Sequence, residues 1–153
     1  MPLDGKRQPQ ELLATDANET DAKFSPDGHW LAYVSDETGR DEIFIRPIGA
    51  SGGRKQLSSA GGINPVWAPD GRAIFFMKGD QLAKVSLDGQ GNALGQDQTL
   101  FTVPKSDDMQ VDSMSPYSVM PDGQHFVFGL GPLSAPTTHY NLVLGWFNEL
   151  RKK

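Results

Sequence analysis

Short apolar blocks separated by polar turns run along the chain. Trp30-Leu31-Ala32-Tyr33-Val34 and Ile74-Phe75-Phe76-Met77 are continuous apolar runs. Runs of this length, rich in aromatic and branched side chains, predict strands buried on both faces. Residues 82–87 alternate instead, with Leu82, Lys84 and Ser86 set against Ala83, Val85 and Leu87. On this pattern strands are expected over 21–25, 30–35, 42–46 and 54–58, then over 64–68, 73–77, 81–87 and 99–103. A last group is expected over 117–120, 124–129 and 140–146. Residues 104–115 are polar and acidic and read as a long loop over one face, while 131–138 hold two prolines and no strand pattern. Residues 147–153 predict a single helical turn whose basic end suits a helix C-terminus.

A hairpin signal recurs inside these blocks. Pro-Asp-Gly stands at 26–28, 69–71 and 121–123, each time between two expected strands. Proline fixes φ near the value that position i+1 of a turn needs. Aspartate hydrogen-bonds nearby backbone, and glycine takes φ > 0 without steric cost. Gly28, Gly71 and Gly123 are therefore expected at positive φ. Trp30, Tyr33, Trp67, Phe75, Phe126 and Phe128 are expected between packed sheets. A spacing of roughly 40–50 residues marks a repeat array, whose commonest all-β form is the blade of a propeller. The expectation is one all-β domain of three four-stranded antiparallel blades, at 21–58, 64–103 and 117–147, with an orphan outer strand within 1–14.

Composition narrows the function classes. The chain has 153 residues, 17 Gly and 11 Pro, which suits many turns around a real core. It has no Cys, which excludes disulfides and thiolate metal sites. A net charge of −5 lacks the basic footprint of a nucleic-acid binder. No apolar run approaches the length of a membrane-spanning helix. The start, Met1-Pro2-Leu3-Asp4-Gly5-Lys6-Arg7, has no apolar stretch of a signal peptide. The expectation from the sequence as written is a cytoplasmic product, and the same start also fits a fragment of a longer chain.

Several segments carry a resemblance. They are Asn18-Glu19, Phe24-Ser25-Pro26-Asp27-Gly28, Arg46-Pro47 and Leu142-Val143-Leu144-Gly145-Trp146-Phe147. With the other two Pro-Asp-Gly units they resemble WD40-like repeats of the TolB type. They are most similar to the C-terminal end of propellers fused to bacterial serine/threonine kinases and winged-helix regulators. The resemblance implies a sensing or protein-binding platform in a ring of six or more blades. This chain differs in having three blades, where closed propellers need about four to eight. It also lacks the Gly-rich loop, His-Arg-Asp and Asp-Phe-Gly of a kinase, so that activity does not carry over. Two copies could close a six-bladed ring. The strand at 8–14 of each would complete the last blade of the other, giving a homodimer by strand exchange.

Candidate chemistry is sparse. Gly49-Ala50-Ser51-Gly52-Gly53 matches the G-x-S-x-G of a nucleophile elbow, which needs a strand before it and a helix after it. The bland reading is a flexible turn. The alternative is an esterase-like hydrolase with Ser51 as nucleophile, served by His125 or His139. Asp36, Glu37, Asp41 and Glu42 offer oxygen ligands for a hard cation, as do Asp107, Asp108 and Asp112. Their spacing fits no EF-hand, and solvated turns are the plainer reading. His29 and His125 are expected at the surface, and no His pair has zinc spacing. Asn18, Glu19, Asp21 and Asn64 enter the first strands of two blades. Those strands should line a central channel, so these four are the candidate binding residues. The leading function is a non-catalytic binding or scaffold module for a protein or small ligand, with no cofactor, nucleic acid or membrane span expected.

Overall fold

The computed structural model describes residues 13, 15–49, 53–103, 110–111, 117–131 and 140–143. Three antiparallel sheets account for them. The first holds β1 (Glu19–Phe24), β2 (Trp30–Ser35), β3 (Glu42–Pro47) and β4 (Lys55–Gln56) in sequence order. The second holds β5 (Ile63–Trp67), β6 (Ala73–Lys78), β7 (Gln81–Ser86) and β8 (Gln98–Thr102), again in order. The third holds β10 (Tyr117–Val119), β11 (Phe126–Gly131) and β12 (Tyr140–Val143), and β9 (Gln110–Val111) pairs with the end of β11. β9 corrects the reading of 104–115 as loop throughout. Two residues carry no period that a sequence pattern could show, and it is the Leu130–Val111 and Gly131–Gln110 pairing that makes them a strand. The architecture is the expected all-β one of propeller blades. No helix among the described residues is long and apolar enough to cross a membrane. Of the expected strand at 8–14 only residue 13 is described, and the turn at 147–153 lies outside the described residues.

Each Pro-Asp-Gly unit closes the first hairpin of its sheet in the same way. The N–H of Gly28, Gly71 and Gly123 donates to the carbonyl of Ser25, Ala68 and Met120, at 2.9 Å in each case. The aspartate in each turn accepts a backbone N–H two residues on, from His29, Arg72 and Gln124. The glycines stand at φ 73°, 71° and 66°. Successive turns nest, since a Cβ on Gly71 would lie 3.8 Å from Pro26 Cδ and one on Gly123 3.6 Å from Pro69 Cδ. Gly71→Val is expected to lower stability by about 1 kcal/mol or more, because positive φ is an outlier for a β-branched residue. Urea unfolding checks it, and an unchanged midpoint would contradict it.

The turn aspartates also set an acid limit. The Ser25 hydroxyl, and then the His29 N–H, hold Asp27 below the ordinary 3.8. The Gln124 N–H, and then the His125 side chain, do the same for Asp122. Asp36 and Asp88 are lowered by the side-chain amides of Asn18 and Asn92. A carboxylate depressed in the fold contributes stability that is present above its unfolded value and lost as pH falls through the folded one. The melting temperature should therefore hold near neutrality and begin to fall below about pH 4. Asp27→Asn should flatten part of that slope. A slope confined to neutral pH would assign it to the histidines instead.

Among the described residues two clusters form the core, one at each seam between neighbouring sheets. Between the first and second sheets, Ala32, Val34, Ile43 and Ile45 meet Ile74 and Phe76. Between the second and third, Phe75 and Met77 meet Tyr117, Phe126 and Phe128. Alternation along β6 explains the division, because Ile74 and Phe76 point one way and Phe75 and Met77 the other. Of the six aromatics expected between sheets, Trp67, Phe75, Phe126 and Phe128 are buried there, and Trp30 packs half-buried against the first cluster. Tyr33 is buried and stacked on Phe44 with ring centroids 5.9 Å apart, yet it belongs to neither cluster. Its hydroxyl is buried without a hydrogen-bond partner among the described residues, and burial pushes its pKa up.

Candidate functional site

The first strands of the three sheets, β1, β5 and β10, line a groove of about 420 Å³. Each of the first two bends at one place. The β1–β2 register shifts between Thr20 and Lys23, and the β5–β6 register shifts between Ile63 and Val66. These are β-bulges, and each holds a non-glycine residue in the left-handed region: Asp21 at φ 53° and Asn64 at φ 52°. Asp and Asn are the side chains that tolerate this conformation best. A bulge re-aims its side chain. Here the two are turned toward each other, and Asn64 Nδ2 donates to Asp21 Oδ2 at 3.2 Å.

Aromatic donors complete the seams between the strands. Trp67 Nε1 donates to the Lys23 carbonyl at 3.0 Å. Tyr117 donates its hydroxyl to the Asn64 carbonyl at 3.0 Å, and burial raises its pKa well above the ordinary 10.0, so it stays a donor. Lys23 and Phe24 also face the groove, and Phe24 is 59% exposed. The groove thus presents a carboxylate, an ammonium and an apolar ring, with Asn64, Trp67 and Tyr117 hydrogen-bonded beneath them.

The expected site residues separate. Asp21 and Asn64 come together in the groove. Asn18 and Glu19 do not join them: Asn18 holds Asp36 through its backbone N–H at 2.9 Å and its side chain at 2.6 Å, and Glu19 accepts from the Thr15 hydroxyl at 2.7 Å. Sequence reasoning missed Trp67 and Tyr117 as groove residues. The available signal was a polar-tipped aromatic in the first strand of each later blade.

The hydrolase constellation gains nothing. Gly53 is followed by strand β4, where an elbow needs a helix. Ser51 and His139 lie outside the described residues. His125 is half-buried, and its Nδ1 meets the Asp122 carboxylate within its own turn. Of the acidic residues of the first sheet, Asp36, Glu37 and Glu42 are engaged structurally, while Asp41 is exposed. Glu37 accepts from Arg54 at 2.8 Å, and Glu42 is fully buried, against the reading of a solvated turn. Arg40, Ser58 and the Gly61 N–H surround its carboxylate. No metal-binding cluster is present among the described residues, and Asp107, Asp108 and Asp112 lie outside them.

Comparison with known proteins agrees with this architecture. Residues 15–140 match the family described as prolyl oligopeptidase, N-terminal beta-propeller domain. The Tol-Pal system protein TolB of Coxiella burnetii is 45% identical over 56 residues, which are 37% of this chain and 13% of that protein. The uncharacterized peptidase YuxL of Bacillus subtilis is 35% identical over 77 residues, 49% of this chain and 10% of that one. The chain therefore spans only a small part of the length of these relatives. Among solved structures, TolB from Acinetobacter baumannii superposes with a TM-score of 0.58 at 27% identity, covering 82% of this chain and 30% of its own. Oligogalacturonate lyase from Vibrio parahaemolyticus, also at 0.58 but 22% identical, covers 81% of this chain and 34% of its own, and shows the fold alone.

Proposed function

The chain belongs to the prolyl oligopeptidase N-terminal β-propeller family, and from that premise we propose that it is a non-catalytic module that binds a protein partner along the groove of β1, β5 and β10. The observation that carries this reading is the pair of bulges. Two neighbouring blades each hold a left-handed non-glycine residue at the same place, and both side chains turn into one groove. Unusual backbone of this kind clusters where a protein binds something. Exposed Phe24 beside Lys23 and Asp21 offers an apolar anchor with charges of both signs around it, which is the anatomy of a protein contact.

Photo-crosslinking tests it. A benzophenone side chain at Phe24 is compared with one at Thr102, on the outer strand β8. A discrete adduct from position 24 alone, lost when Lys23→Glu is added, supports the groove. Equal labelling from both positions refutes it.

We further infer that two copies close a six-bladed ring. By strand position, Leu31 and Tyr33 of the first sheet correspond to Ile74 and Phe76 of the second and to Phe126 and Phe128 of the third. Those later pairs each face the preceding sheet. Leu31 and Tyr33 are already buried within one chain, so the support for a second copy is the ring size instead, since closed propellers need about four to eight blades and closed dimers are the commonest oligomers. Light scattering should then give about 33 kDa, twice the 16.7 kDa of one chain. Deleting residues 1–14 should abolish the dimer. A folded particle of single-chain mass at micromolar concentration would rule it out.

A further inference from the structure

The two seams are built differently at their Pro-Asp-Gly ends. Between the first and second sheets the space is filled. Trp30 occupies it, and the turn after β7 closes down on the indole. A Cβ on Gly91 would lie 2.7 Å from Trp30 Cη2 and 3.0 Å from Ile45 Cδ1, so a larger residue has no room there. Lys55 locks that turn by donating to the Gln90 carbonyl at 2.7 Å and to Asn92 Oδ1 at 2.8 Å. Its ammonium also lies 5.2 Å from the centre of the Trp30 ring.

The next seam replaces both plugging residues. Ala73 opens β6 as Trp30 opens β2. Lys84 pairs with Phe75 as Ile45 pairs with Ala32, which puts Lys84 in the place of Ile45. Tryptophan has become alanine and isoleucine has become lysine. What results is a cavity of about 380 Å³ between the second and third sheets, within the usual range of small-ligand sites.

Its chemistry is selective. Phe75 forms one wall, and the Lys84 ammonium stands 5.9 Å from the centre of that ring. Lys84 is half-buried and makes no hydrogen bond or ion pair among the described residues, and the Arg72 guanidinium is equally free there. Leu94, 64% exposed, forms an apolar lip. Two carboxylates also line the cavity, but both are committed. Asp70 accepts the Arg72 N–H, and Asp122 accepts the N–H groups of Gln124 and His125 and faces the His125 ring. Their negative charge disfavours a multiply charged anion such as phosphate.

We propose that this cavity is a binding site for a monocarboxylate with a small apolar body. The carboxylate ion-pairs with Lys84 and Arg72, and the body lies against Ala73, Phe75 and Leu94. A free aryl or alkyl acid offers that chemistry, and so does an acidic side chain on a peptide. The site is distinct from the groove of the first strands and stands or falls apart from it.

The test is a titration of the ¹⁵N-labelled full chain with four probes: phenylacetate, a blocked Gly-Leu-Glu peptide, phenethylamine and inorganic phosphate. One or both carboxylate probes should shift the amide signals of residues 72–75, 84–86 and Leu94 at millimolar concentration. The tighter of the two identifies a free acid or a peptide as the source. Lys84→Met should weaken binding about tenfold or more, because it removes one partner of a part-buried charge pair. Ala73→Trp, which refills the space as Trp30 does, should abolish binding while signals elsewhere stay in place. Should that variant fail to fold, Lys84→Met decides alone. No shift with either carboxylate, an equal response to phenethylamine or phosphate, or unchanged affinity in Lys84→Met would overturn the proposal.

Discussion

Phe126→Ala is expected to lower the unfolding free energy by about 3–5 kcal/mol. Phe126 is 2% exposed. Its ring stands edge-on to Phe75, with centroids 4.9 Å apart at 80°, and edge-on to Phe101 at 5.9 Å. These contacts join the second sheet to the third. Truncation removes the transfer energy of the ring and leaves a void that neither sheet can close, since β11 is pinned by β10 on one edge and β12 on the other. Phe24→Ala makes the contrast. That ring is 59% exposed, so little burial is lost and stability should stay within about 0.5 kcal/mol. Urea unfolding measures both. A loss under about 1 kcal/mol for Phe126→Ala would mean that the third sheet is not packed on the second as a common core.

The same residues show what the sequence made legible. Each Pro-Asp-Gly unit declares its hairpin because three side chains act locally, through φ, an Asx hydrogen bond and a left-handed glycine. Such signals survive without any tertiary information. The strands around them were legible for the related reason that apolar blocks are short and punctuated. What the sequence did not reveal depends on contacts between blades. The bulges at Asp21 and Asn64 cannot be read from residue type, because Asp and Asn serve equally well in ordinary turns. Their role appears only when β1 and β5 lie side by side. Gln110–Val111 has too little length to show a period. The cavity at Ala73 does not show in the repeat signal, which rests on the likeness of the blades. Its origin is a difference, alanine for Trp30 and lysine for Ile45, at equivalent positions of two blades.

Glu42 was the residue whose character the sequence obscured most, and it gives the second large effect. Among Asp36, Glu37 and Asp41 it looks like one more solvated acid, but it is fully buried. Arg40 Nε donates to it at 2.6 Å, the Ser58 hydroxyl donates to its other oxygen, and the Gly61 N–H reaches both oxygens at 3.1 Å. Ser58 in turn accepts the Ile43 N–H at 2.8 Å, so the carboxylate anchors the start of β3 and the chain entering β5 together. The weight of this cluster lies in the buried donors rather than in the ion pair, because the Arg40 side chain is 60% exposed and screened by water. Glu42→Ala leaves the Ser58 hydroxyl and the Gly61 N–H without their acceptor and opens a void, and it should cost about 2–4 kcal/mol. Glu42→Gln keeps the shape and one acceptor oxygen but turns an amide N–H₂ toward existing donors, and should cost about half as much. Arg40→Ala should cost no more than about 1 kcal/mol and should lose that effect in high salt. Chemical unfolding of the three variants at low and high ionic strength checks the order. If Arg40→Ala proved as damaging as Glu42→Ala, the ion pair would be the source of the stability, and Glu42 would not be acting as a buried acceptor for backbone and hydroxyl donors.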